Sequence, residues 1–257
     1  MNHRTSLFIV CVLIAACSDD QALKDKRAQA QEYYRTTNTV IPQNDEIISF
    51  PTVSKPDHNR PAPNLDRNAY FGDLHVHTTL SFDASAFGTT ASPADAYRYA
   101  QGAAIKHPSG FEVQLAQPLD FYAVTDHGIF LGLINDAADT ETDFSQYELA
   151  KPYHNINESV DGGILDLAKR SMVFGNFISD VVGGLLDGTI ENSVVNKVSK
   201  SAWSKTIEAA DEAYVPGTFT TFAGYEFTSS TSEREALHRN VIFRGTERIP
   251  ALPFTRF

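Results

Sequence analysis

Tyr70-Phe71-Gly72-Asp73-Leu74-His75-Val76-His77-Thr78 is the stretch on which the fold turns. Residues 69–76 are rich in aromatic and branched side chains and close on polar ones, the composition of a strand. A period of two puts Asp73, His75 and His77 on one face of it. Two imidazoles at i and i+2 point to the same side and can bind one divalent ion through neutral nitrogens. Asp73, two residues earlier, is placed either to ligate or to hold an imidazole tautomer from behind.

Working outward, Ser92-Pro93-Ala94-Asp95 predicts a helix start, with Ser92 as cap, Pro93 at the first helical position and Asp95 near the positive end of the dipole. That helix should run to Gln101 and stop at Gly102. Further strands are predicted over 119–125, 218–224 and 238–243, the second closing on Asp126-His127-Gly128 and the third on Tyr225-Glu226-Phe227. Strands separated by helical segments indicate an α/β fold, whose functional loops follow the strand ends, where Asp126, His127 and Glu226 fall. Between the second and third strands lies an insertion, 136–215, with helices expected over 164–186 and 202–214. Asp166, Lys169, Arg170 and Asp180 interrupt its apolar run, so it reads as packing against the domain, beside or over the mouth of the site, and not as a membrane span.

The 257 residues are 42% hydrophobic and 21% charged, enough for a sizeable globular core. With 21 Lys+Arg against 32 Asp+Glu the net charge is -11, and the basic residues are scattered, so no nucleic-acid partner is expected. The two cysteines, Cys11 and Cys17, both lie near the start, which leaves the rest of the chain without a disulfide, a thiolate metal ligand or a cysteine nucleophile. Arg4 precedes an apolar run over 7–16 too short to span a bilayer. The run closes on Ile14-Ala15-Ala16-Cys17, which resembles the lipobox of bacterial lipoproteins. The resemblance implies a signal peptide over 1–16, lipidation of Cys17, and a lipid-anchored protein of the cell envelope, periplasmic or associated with the outer membrane. Residues 17–68 carry five of the 12 prolines and no sustained periodicity, and read as a Pro-rich tether to a domain over 69–257. His107 and His154 fall in polar loops, and the hydroxyl-rich stretch from Ser229 to Ser232 lacks a His-Asp pair to activate a nucleophile.

Phe71 to Thr78 with Asp83, Pro118-Leu119-Asp120-Phe121 through Asp126-His127, Gly224-Tyr225-Glu226 and His238-Arg239-Asn240 occur in an order that resembles the polymerase and histidinol phosphatase (PHP) superfamily, closest to its bacterial branch labelled domain of unknown function 3604. That resemblance implies a distorted (β/α)7 barrel carrying two or three divalent metals, Zn, Mn or Fe, at the strand C-termini. His75 and His77 would hold the first metal, Glu226 would bridge first and second, His238 would hold the second, and Asp83 and His127 the third. Glu226, His238 and Asp126 are then the residues expected to act at the reacting centre, with Asp73 and Asp126 behind the ligands. The resemblance also implies a later histidine and a terminal Asp-x-His that have no counterpart here, so the expectation is an incomplete barrel, the N-terminal fragment of a longer protein. The expected activity is a metal-dependent hydrolase, a phosphoesterase acting on a small-molecule substrate. The alternatives are an amidohydrolase-like amide or ester hydrolase and a non-catalytic metal-binding envelope lipoprotein.

Overall fold

The computed structural model describes residues 69–158, 163–229 and 237–255. The expected signal peptide, the lipidation site Cys17 and the tether 17–68 lie outside the described residues. The chain forms a mixed α/β fold around one four-stranded sheet. Its strands are β1 (Gly72–Val76), β4 (Phe121–Val124), β5 (Thr220–Ser229) and β6 (Leu237–Ile242), adjacent in that order. The first three run parallel and β6 returns antiparallel to β5. The sheet curls as half a barrel. The curl brings its outer strands within reach of each other, since the Asn240 side-chain amide on β6 donates to the Leu74 carbonyl on β1 at 2.8 Å. A short hairpin of β2 (Ile105–Lys106) and β3 (Glu112–Val113) lies apart from it.

Each crossover follows from local chemistry. After β1 a short helix, α1 (Phe82–Ala86), leads to α2 (Pro93–Ala100). The expected cap is present as a full capping box: Ser92 Oγ accepts from the Asp95 N–H, and Asp95 accepts from the Ser92 N–H. The helix ends at Gly102, whose φ of 88° is the left-handed conformation that glycine adopts without penalty. Tyr97 fastens α2 to the sheet, its buried hydroxyl donating to the Phe222 carbonyl and accepting from the Val124 N–H. Gly72 is required where β1 meets β4, because a Cβ there would lie 2.2 Å from the Phe121 carbonyl oxygen.

The insertion contains α3 (Leu133–Ala138), two 3-10 turns, α4 (Ile164–Asp187) and α5 (Asn192–Ala213). Helix α4 matches its expected span, but α5 begins ten residues before the expected 202, at Asn192. The early turns hold β-branched and polar residues of weak helix propensity, and burial of Val195, Ser199 and Ala202 overrides that preference. Two apolar clusters result, one joining α5 and α2 to the sheet around Trp203, Tyr97 and Val124, the other joining α4 to α1 and α3 around Phe177, Leu133 and Phe82. A cleft of about 550 Å³ is bordered by Gly128, Asn192, Asn196, Ser199 and Phe254. Among the described residues no helix is long and apolar enough to cross a membrane.

Candidate metal centre

Two departures from simple strand geometry shape the site. Pairing of β1 with β4 shifts register between Asp73 and Val76, so the period-two face does not carry through the strand. Asp73 therefore turns back on its own chain, where its carboxylate accepts from the His75 N–H at 2.9 Å, and it belongs to none of the ligand groups. The second concerns Glu226, expected just after a strand but found inside β5 opposite Asn240, because pairing with β6 extends the ladder past the parallel part. A parallel bridge from His127 to Glu226 then fixes the loop after β4 against the middle of β5.

These elements bring six of the expected ligands together from across the chain. Three groups have donor atoms within 4.8 Å of one another: His75, His77 and Glu226; His77, Asp83 and His127; His127, Glu226 and His238. Glu226 is the hub. Its Oε2 lies 3.1 Å from His75 Nε2 and 2.7 Å from His77 Nε2, while Oε1 lies 2.5 Å from His238 Nδ1. Glu226 and His127 are buried, whereas the side chains of His75 and His238 are 58% and 44% exposed and mark the open side.

The donor set fits divalent cations. Ligand bonds of about 2 Å put neighbouring donors of a tetrahedral ion about 3.3 Å apart, within the range of the separations found here. His77 gives an independent indication: Nε2 faces Glu226, and Nδ1 faces Asp83 at 2.9 Å. Ionised carboxylates only accept, and a neutral imidazole has one N–H, so one of these contacts needs a further proton or a cation. Burial opposes protonation of His77, yet the Asp83 hydrogen bond and the charges of Asp83, Asp126 and Glu226 outweigh it and raise its pKa. Burial also works against ionised Asp83, but hydrogen bonds from His127, His77 and Ser81 hold its carboxyl far below the usual range. Glu226 is likewise lowered despite burial, by His127, His75, His77 and His238.

Supporting contacts orient the rings. The Nδ1–H of His77 donates to Asp83, which turns the Nε2 lone pair toward Glu226 and His75, where a cation would be held. His127 Nδ1 bonds Thr228 Oγ1 at 2.6 Å, which directs Nε2 toward Asp83 at 3.5 Å. Ser81 links the set, its hydroxyl donating to Asp83 at 2.6 Å and accepting from the His127 N–H. Asp126 stands behind, accepting from the N–H and hydroxyl of Thr78 where the chain leaves β1, and burial pushes its carboxyl up to about 6. Nothing in the sequence singles out Ser81, Thr78 or Thr228, because lone hydroxyls carry no spacing signature. His107 and His154 hold loop backbone instead, through the Ser109 N–H and the Ser145 carbonyl.

The family model described as "Protein of unknown function (DUF3604)" matches residues 64–257. The chain belongs to this family. Neither the curated proteins nor the solved structures hold a match. In this DUF3604 chain the match spans every ligand candidate, from His75 to His238.

Proposed function

We propose that this DUF3604 domain is a metal-dependent hydrolase of the PHP type, acting on phosphoesters. The observation that carries the reading is the position of Glu226, whose two oxygens face different imidazole sets, His75 with His77 on one side and His238 on the other. A carboxylate so placed suits the bridge of a two-metal site. Asp83 and His127 complete the donor set for a third ion. Divalent Zn, Mn or Fe bound there would lower the pKa of a coordinated water and neutralise charge on a phosphoester.

The chain's own residues have separable tasks in this scheme. Glu226 holds its two oxygens in one buried orientation. The His77 ring is held through Nδ1 by Asp83, and the His127 ring through Nδ1 by Thr228. Asp126 fastens the first turn after β1 so that His77 cannot swing away. His75 and His238 flank the exposed side, from which a small-molecule phosphoester would enter and water would be displaced. On this reading β1, β4 and β5 are the first parallel strands of a PHP-type barrel, and the lipobox-like leader would anchor the domain at the cell envelope.

The test is hydrolysis of p-nitrophenyl phosphate by protein loaded with Zn or Mn. The reading expects turnover that a chelator abolishes and re-addition of metal restores. Bound metal without turnover on any ester would favour the non-catalytic alternative, and turnover of amides alone the amidohydrolase-like one.

A further inference from the structure

An unbroken stack of rings leads away from the ligand cluster. Phe82 stacks on the His127 imidazole with centroids 4.8 Å apart, and Phe174 on α4 stacks on Phe82 at 5.9 Å and 13°. Phe87 then meets Phe174 at 5.4 Å. Phe82 is 3% exposed, as a supporting ring should be, but Phe87 and Phe174 are 46% and 38% exposed. Phe87 follows Asp83 by one helical turn, its N–H donating to the Asp83 carbonyl. Two large half-open aromatic faces thus continue a line of rings that begins at His127 in the cluster of carboxylates and imidazoles. Apolar surface of this kind beside a polar centre marks ligand contact.

Resting on the hydrolase reading above, we propose that Phe87 and Phe174 form a subsite for an apolar alkyl or aryl group of the substrate. The ester head would lie at the ligand cluster and the apolar group on the two rings. The rings select between esters that share a head group, so the subsite determines specificity and takes no part in bond breaking.

The experiment measures binding of methylphosphonate and octylphosphonate, below the micelle concentration, to metal-loaded protein by calorimetry. Their C–P bonds resist hydrolysis, so the readout does not depend on turnover. Octylphosphonate should bind at least about tenfold tighter, which requires burial of only about 55 Å² of apolar surface at 25 cal/mol per Å². In the double variant Phe87→Ser/Phe174→Ser the ratio should fall to within about twofold. Met172→Ser is the control, since Met172 is exposed on the same helix but turned by about 160° from Phe174, and it should leave the ratio unchanged. No preference for the octyl chain in the wild type overturns the proposal, as does a preference that survives in a folded double variant. Self-association abolished by the double variant, without an octyl preference, would assign the rings to contact between two copies and also overturn it. An intact preference with no ester hydrolysed would instead sink the hydrolase reading and leave the subsite standing.

Discussion

Thr228 shows how much of the site rests on groups that are not ligands. Its hydroxyl lies 2.6 Å from His127 Nδ1 and 3.3 Å from His238 Nδ1, between histidines assigned to different metals. Thr228→Val keeps the shape and removes the hydroxyl, so His127 loses the contact that holds its ring orientation. Affinity for the last metal bound should fall about 10–100-fold, read by titration with a chelating indicator, with the fold retained. An unchanged affinity would make the contact incidental. At this scale the sequence was partly legible. His75 and His77 followed from the period of two, whereas Asp73 did not, because the register shift in β1 breaks the alternation on which its placement depended. Thr228 and His127 are 101 residues apart, and only the pairing of β5 with its neighbours brings them together.

Among the elements, α4 is tied to the site through one cation. Arg170 is buried, donating to Asp166 at 2.9 Å, to the Ala86 carbonyl that ends α1, to the Ile156 carbonyl and to Asn157 Oδ1. Helix α1 carries Asp83, so the insertion braces a ligand-bearing helix. Arg170→Met would remove these hydrogen bonds and the ion pair to the largely buried Asp166. The loss should be on the order of 3 kcal/mol in urea denaturation, with weakened metal binding at the Asp83 site. Insertion helices that merely covered the surface would cost far less.

A second element-scale effect comes from two tyrosines where α2 meets the sheet, Tyr97 on the helix and Tyr122 on β4. Burial raises the phenol of Tyr122 to about 12, and that of Tyr97 also moves upward. The folded state then holds these protons more tightly than the unfolded chain, which releases them near pH 10. Stability should fall as pH rises from about 10 to 12, by on the order of 2 kcal/mol for Tyr122, and be insensitive to them below pH 9. Tyr122→Phe should flatten that slope in denaturant titrations at pH 9 and 11. An unchanged slope would show that Tyr122 ionises equally in both states. Element boundaries were readable where caps were explicit, as at Ser92 and Gly102. They were not where packing decided, as in the first turns of α5 and the extension of β5 through Glu226.

For the whole molecule, the account rests on a sheet curled far enough that β1, β4, β5 and β6 deliver ligands to one place. Four sequence stretches carried the ligand types and their order, but not the curl, which is a property of strand twist and of cross-links such as Asn240 to Leu74. The acidic balance of the chain is compatible with a cationic centre, since bound metals would be the largest local charges there. The central claim is that Glu226 joins two metal positions. Elemental analysis of wild type and Glu226→Gln after metal loading and removal of excess tests it most directly, with circular dichroism to establish that both are folded. The account predicts two or three metals per chain in the wild type and a loss of at least one from folded Glu226→Gln. Fewer than two metals in the wild type, or an unchanged count in the variant, would contradict it.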